Sequence, residues 1–153
     1  MPKEIKRKYG ASAALTITLA ALPTSVAGVG QQSTLVDNSV TRYGLIHVWY
    51  KVTTGTTPTT AKTIQFYLLK DDGTGVATDG AGASDAAITI IAAPLVHAVG
   101  TDATSDKAYR GHFVIRDPGT KWGIAVVHDT AVNLNATGGN HAIKWLGDNP
   151  EVQ

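Results

Sequence analysis

The sequence predicts an all-β domain: an antiparallel two-sheet sandwich of jelly-roll or Greek-key type, with about eight strands and little helix. Three observations carry that prediction. Short segments alternate apolar and polar side chains with a period of two, as half-buried strands do. Gly, Pro and Asp punctuate those segments, and no long window shows the 3.6-residue apolar stripe of a helix. Charged residues make up only 16% of the chain, in a Gly-, Thr- and Ala-rich mixture that suits short strands and tight turns.

The 153 residues fit one domain, expected over residues 11–153 behind a basic arm at residues 1–10. In that arm Lys3, Lys6, Arg7 and Lys8 stand against Glu4, so it is net +3 while the rest of the chain is −2. A basic arm on a mildly acidic body suits an acidic partner surface. Residues 11–21 imitate the apolar core of a secretory signal. Thr16 and Thr18 break the run into Leu15-Thr16-Ile17-Thr18-Leu19, the alternation of a strand, and the segment is too short and polar to span a membrane.

Further strands are expected at residues 32–37, 43–52, 62–70, 107–116, 122–128 and 141–146, with 86–91 and 94–99 forming one or two strands broken at Pro94. In the strongest, 43–52, the set Gly44, Ile46, Val48, Tyr50, Val52 should face the core and Leu45, His47, Trp49, Lys51 should face outward. Residues 74–85 hold three glycines and read as an exposed loop. Low charge also fits a surface partly covered by other subunits, since interface cores are depleted in charge.

No constellation points to catalysis, so the chain is not expected to be an enzyme or to need a cofactor. The absence of cysteine excludes disulfides and thiolate metal sites. His47, His97, His112, His128 and His141 include no His-x-His pair, and His128-Asp129 would point to opposite faces of a strand. Asp71-Asp72-Gly73 lacks the spacing of a calcium loop, and no G-x-S-x-G elbow is present. Trp49, beside His47 and Lys51, is expected to be partly exposed and to act as a contact residue. Trp122 and Trp145 are expected in the core.

The runs Leu15-Thr16-Ile17-Thr18-Leu19-Ala20-Ala21-Leu22 and Gln32-Ser33-Thr34-Leu35-Val36-Asp37-Asn38, followed by the 43–52 strand, resemble small virion structural proteins of tailed bacteriophages. Thr78-Asp79-Gly80 and the Pro118-Gly119 turn before Trp122-Gly123-Ile124 fit the same picture. The resemblance implies a jelly-roll capsid decoration, or cement, protein on the outer surface of the phage head. Its implied partners are the major capsid protein and further copies of itself, as a dimer or trimer. It implies no membrane partner, and nucleic acid is not expected. Candidate contacts are Lys3, Lys6, Arg7, Lys8 and Tyr9 of the arm, together with Trp49. The alternative is a tail or head-fibre module that binds a host-surface glycan. The basic arm departs from the mostly neutral leader of that group.

Overall fold

Period-two alternation becomes two facing layers. The computed structural model describes residues 5–80 and 82–152, the last two by backbone alone. In chain order the strands are β1 Ile5–Tyr9, β2 Ala13–Ala14, β3 Val29–Gln32, β4 Val36–Asp37, β5 Leu45–Thr53 and β6 Lys62–Asp71. They continue with β7 Ala86–Thr89, β8 Leu95–Thr101, β9 Ala108–Arg116, β10 Lys121–His128 and β11 Ala142–Val152. A 3₁₀ turn at Gly138–Asn140 is the one helical element among the described residues.

Every strand pairing is antiparallel. Sheet A has the order β1-β11-β5-β9 with β2 added to β11; sheet B has β7-β3-β10-β6-β8 with β4 added to β10. Four pairings are nested: β1 with β11, β3 with β10, β5 with β9, and β6 with β8. A long hairpin wrapped around a core, with successive pairs alternating between layers, gives this nesting. That is the jelly-roll arrangement. Strand β7, inserted between β6 and β8, widens sheet B beside β3.

Strand β5 follows its alternation, with Ile46, Val48, Tyr50 and Val52 buried. They meet Ile64, Phe66 and Leu68 of β6, Phe113 and Ile115 of β9, and Trp122, Ile124 and Val126 of β10. Each such aliphatic side chain contributes roughly 1.5–3 kcal/mol by leaving water. A smaller cluster, Leu69, Ile88, Ala93 and Ala125, lies apart from this one. It buries the second face of β10, whose residues after Lys121 are all buried.

Three expectations change in detail. The segment 11–21 keeps its alternation, burying Leu15 and Leu19, but only Ala13–Ala14 joins a ladder. Single bonds hold the rest: Leu15 N–H to Ile143 O (2.9 Å) and Thr34 N–H to Thr16 O (2.9 Å). The last strand runs well past Leu146, to Val152. Residues 5–9 of the expected arm form the edge strand β1, so this stretch belongs to the sandwich.

The loop after β6 is bolted down by carboxylates. Asp79 Oδ2 accepts backbone N–H bonds from Ile91 (3.2 Å), Ala92 (2.9 Å) and Ala93 (2.5 Å). Burial pushes the Asp79 carboxyl up, but the three amide donors outweigh it and hold it below the ordinary aspartate value. Asp85 accepts from the Thr18 hydroxyl (2.6 Å) and from the Gln31 amide. Asp79→Ala is therefore expected to loosen this loop by about 1.5 kcal/mol. Amide exchange at Ala92 and Ala93 should accelerate about tenfold, with β5 and β9 unaffected; unchanged exchange there would contradict it.

Candidate functional site

Alternation on sheet A also decides what its outer face presents. The β5–β9 register sets Leu45 opposite Arg116, His47 opposite Val114, Trp49 opposite His112, and Lys51 opposite Arg110. The β5–β11 register adds Asp148 beside Leu45, Leu146 beside His47, and Lys144 beside Trp49. Tyr9 of β1 then stands opposite Asp148, and Arg7 opposite Pro150. Paired residues share a face, so these side chains form one surface.

Its centre is aromatic. The His47 ring stacks on His112 (centroids 5.4 Å, 12° between planes) and on Trp49 (5.9 Å, 24°). His112 lies 4.7 Å from the Trp49 ring, and Tyr9 lies 6.3 Å from His47. Trp49 is 43% exposed and Tyr9 57%, so each leaves much of its ring for a partner. Val114 and Ile5 are also exposed.

The polar groups are coupled. Arg7 Nη1 bonds Asp148 Oδ2, closing an ion pair over a carboxylate that is only 1% exposed. His47 Nε2 lies 3.6 Å from the same oxygen, an ion-pair distance beyond hydrogen-bond reach. Its Nδ1 is 3.2 Å from His112 Nε2, so one of those nitrogens donates and the other accepts. The two rings cannot both be fully protonated and keep this contact. Burial, followed by the charge of His47, lowers the His112 pKa.

Basic residues dominate the surround. Arg7, Lys51, Arg110, Arg116 and Lys144 occupy this face, whereas its carboxylate, Asp148, is already engaged by Arg7. An open concavity of about 300 Å³ borders this face beside Tyr9, Tyr43, Asn149 and Pro150. An open concavity of about 400 Å³ lies elsewhere, between residues 38–44 and 117–120. There the Asn38 side chain is committed to Tyr43 N–H (2.8 Å), Tyr43 O (3.1 Å) and Gly119 O (3.0 Å).

No protein-family model matches this chain, and no curated protein is significantly similar to it in sequence.

Of the residues singled out in the sequence, the structure brings Arg7, Tyr9 and Trp49 onto one face. Lys6 and Lys8 alternate to the opposite side of β1, and Lys3 lies outside the described residues. Sequence reasoning missed His112, Lys144, Arg110, Arg116 and Asp148, whose meeting depends on the pairing of distant strands. The remaining histidines are separate. His97 Nε2 meets the Tyr50 hydroxyl at 2.9 Å, and His141 Nε2 donates to Asn135 O at 2.8 Å. His128, 1% exposed, donates from Nε2 to Leu22 O at 2.9 Å and contacts Thr130 Oγ1 at 3.0 Å. Among the described residues no three His, Asp or Glu side chains converge as metal ligands.

Burial lowers the pKa of His97, His112, His128 and His141 from 6.5. The unfolded chain therefore takes up protons at a higher pH than the folded one, and acid favours unfolding. Stability is expected to be level above about pH 6.5 and to fall as the pH drops below it. A second loss should follow near pH 3.8 and below, where Asp37, Asp72, Asp79 and Asp85 protonate in the unfolded chain first. Urea midpoints measured from pH 7.5 to 2.5 check both losses, and a flat series would contradict them.

Proposed function

We propose that this chain is a capsid decoration (cement) protein of a tailed bacteriophage. In this reading it lies on the outer surface of the head, binds the major capsid protein through the outer face of sheet A, and stabilises the particle. The observation that carries the reading is the convergence of Arg7, Tyr9 and Trp49 on that face, around stacked His47 and His112. An aromatic and aliphatic centre inside a cationic rim has the anatomy of a protein interface. Lys51, whose Nζ donates to Gly139 O (2.8 Å), and Arg110, Arg116 and Lys144 pair with no carboxylate among the described residues, which calls for an acidic partner surface. The sequence resemblance over residues 15–52 supports the virion assignment, and the jelly-roll fold accords with it without deciding function.

The test is binding of the purified protein to heads stripped of it, followed by sedimentation. Trp49→Ala is expected to weaken attachment about 30-fold, as loss of an interface anchor does. Lys144→Glu should slow association and flatten the salt dependence. Several hundred copies per particle, with earlier bursting of stripped heads on heating, would accord with the proposal. Attachment to tails alone, or unaltered binding by both variants, would overturn it. Glycan capture that depends on Trp49, without head binding, would establish the glycan-binding alternative.

A further inference from the structure

We infer that β8 is a dimerisation edge, and that its partner is β8 of a second copy of this chain, related by a two-fold axis. The inference is independent of the capsid reading, because it concerns the other sheet and the purified protein alone.

The sandwich has four sheet edges, β1 and β9 in sheet A and β7 and β8 in sheet B. Three of them are blunted in the ways that keep edges from pairing. Strand β1 carries Lys6, Arg7 and Lys8 within five residues, so a second copy would set cation against cation. Strand β9 carries Arg110, His112 and Arg116. Strand β7 is only four residues long. By contrast, β8 is seven residues long and reads Leu-Val-His-Ala-Val-Gly-Thr, with no Lys, Arg, Asp or Glu.

The edge is also accessible and held in shape. One side of β8 pairs with β6, and on the other no strand is hydrogen-bonded to it among the described residues, although β9 of the facing sheet comes close. Ala98 and Gly100, opposite Gln65 and Thr63, are exposed on the outer face of the sheet. A Cβ built on Gly100 would meet nothing within 4 Å. On the inner side, His97 is fixed by its 2.9 Å contact with the Tyr50 hydroxyl and by stacking on Phe113 at 5.1 Å. Little order has to be gained on pairing. The irregularity between Phe66 and Tyr67 falls at the start of β8, so the regular stretch for pairing is 97–101. Laid antiparallel about Val99, it sets Ala98 against Gly100 of the second copy and brings no like charges together. Two five-strand orders then become one continuous sheet.

Such a contact is small, so the dimer is expected to be weak, with Kd in the micromolar range. Sedimentation equilibrium should show the mass rising from 16.0 kDa towards twice that value between roughly 1 and 200 μM, the span that brackets such a Kd. The double variant A98K/G100K places lysines across the axis, on exposed positions that tolerate them in the single chain. It should remain monomeric with an unchanged circular-dichroism melt. A98S/G100S, neutral at the same positions, should dimerise like the original. A protein that stays at 16.0 kDa throughout, one that forms trimers, or an A98K/G100K variant that associates unchanged would overturn the inference.

Discussion

Trp122→Ala is expected to lower the free energy of unfolding by about 4 kcal/mol. Trp122 is fully buried in the main core. Its ring meets Trp145 edge-on, at 5.4 Å and 87°, across the two sheets. Truncation to alanine would open a cavity that two hydrogen-bonded sheets cannot collapse to fill, so both the transfer loss and the lost contacts count. For a chain of this size the melting temperature should fall by about 8–16 °C. One feature sharpens the test. Trp122 Nε1 is buried with no hydrogen-bond partner among the described residues, which already weakens the native state. Trp122→Phe removes that orphan donor and keeps much of the ring, so its loss should stay below about 2 kcal/mol. A Trp122→Ala loss no larger than that of Trp122→Phe would contradict this account of the core.

Deleting residues 1–9 is expected to cost about 3 kcal/mol in stability, in addition to any loss of binding. The deletion removes β1, leaving β11 without its edge partner beyond Asp148, and leaves the Asp148 carboxylate buried without Arg7. A double-mutant cycle isolates the charge effect. Arg7→Ala alone should cost about 2 kcal/mol, less than a fully buried pair because the arginine is half exposed. Adding Asp148→Asn should recover part of that loss, since the stranded charge disappears. If Arg7→Ala unfolds with an unchanged urea midpoint, the pair contributes nothing. Loss of head binding on deletion is thus ambiguous, and the point variants at Trp49 and Lys144 are the cleaner probes of attachment.

What the sequence displayed was direction of burial; what it concealed was pairing. Ile46, Val48, Tyr50 and Val52 were assignable to the core because alternation is a local property of β5. Leu15 and Leu19 were assignable for the same reason, yet alternation reports extended backbone and not a ladder, so 11–21 looked like a full strand. Gly147-Asp148-Asn149-Pro150 reads as turn chemistry and hid the end of β11. Pro150 is tolerated there because the β5 pairing stops at Asp148, leaving a strand with β1 on one side only. The charges of residues 5–9 masked an alternation of Ile5, Arg7 and Tyr9 with Lys6 and Lys8. The Asp148–His47–His112 chain joins three strands, and its members carry no mutual spacing that a linear reading can detect.

The nested pairing has a kinetic consequence. The innermost pair, β6 with β8, closes the shortest loop, and each pair outward must close a longer one. Chain entropy therefore favours zippering from β6–β8 outward, and so much distant pairing makes folding slow for the chain's size. The outermost pair, β1 with β11, should form last and open first. The strand that carries Arg7 and Tyr9 to the interaction face is then the sandwich's most labile joint, and a partner gripping it would slow the first step of unfolding.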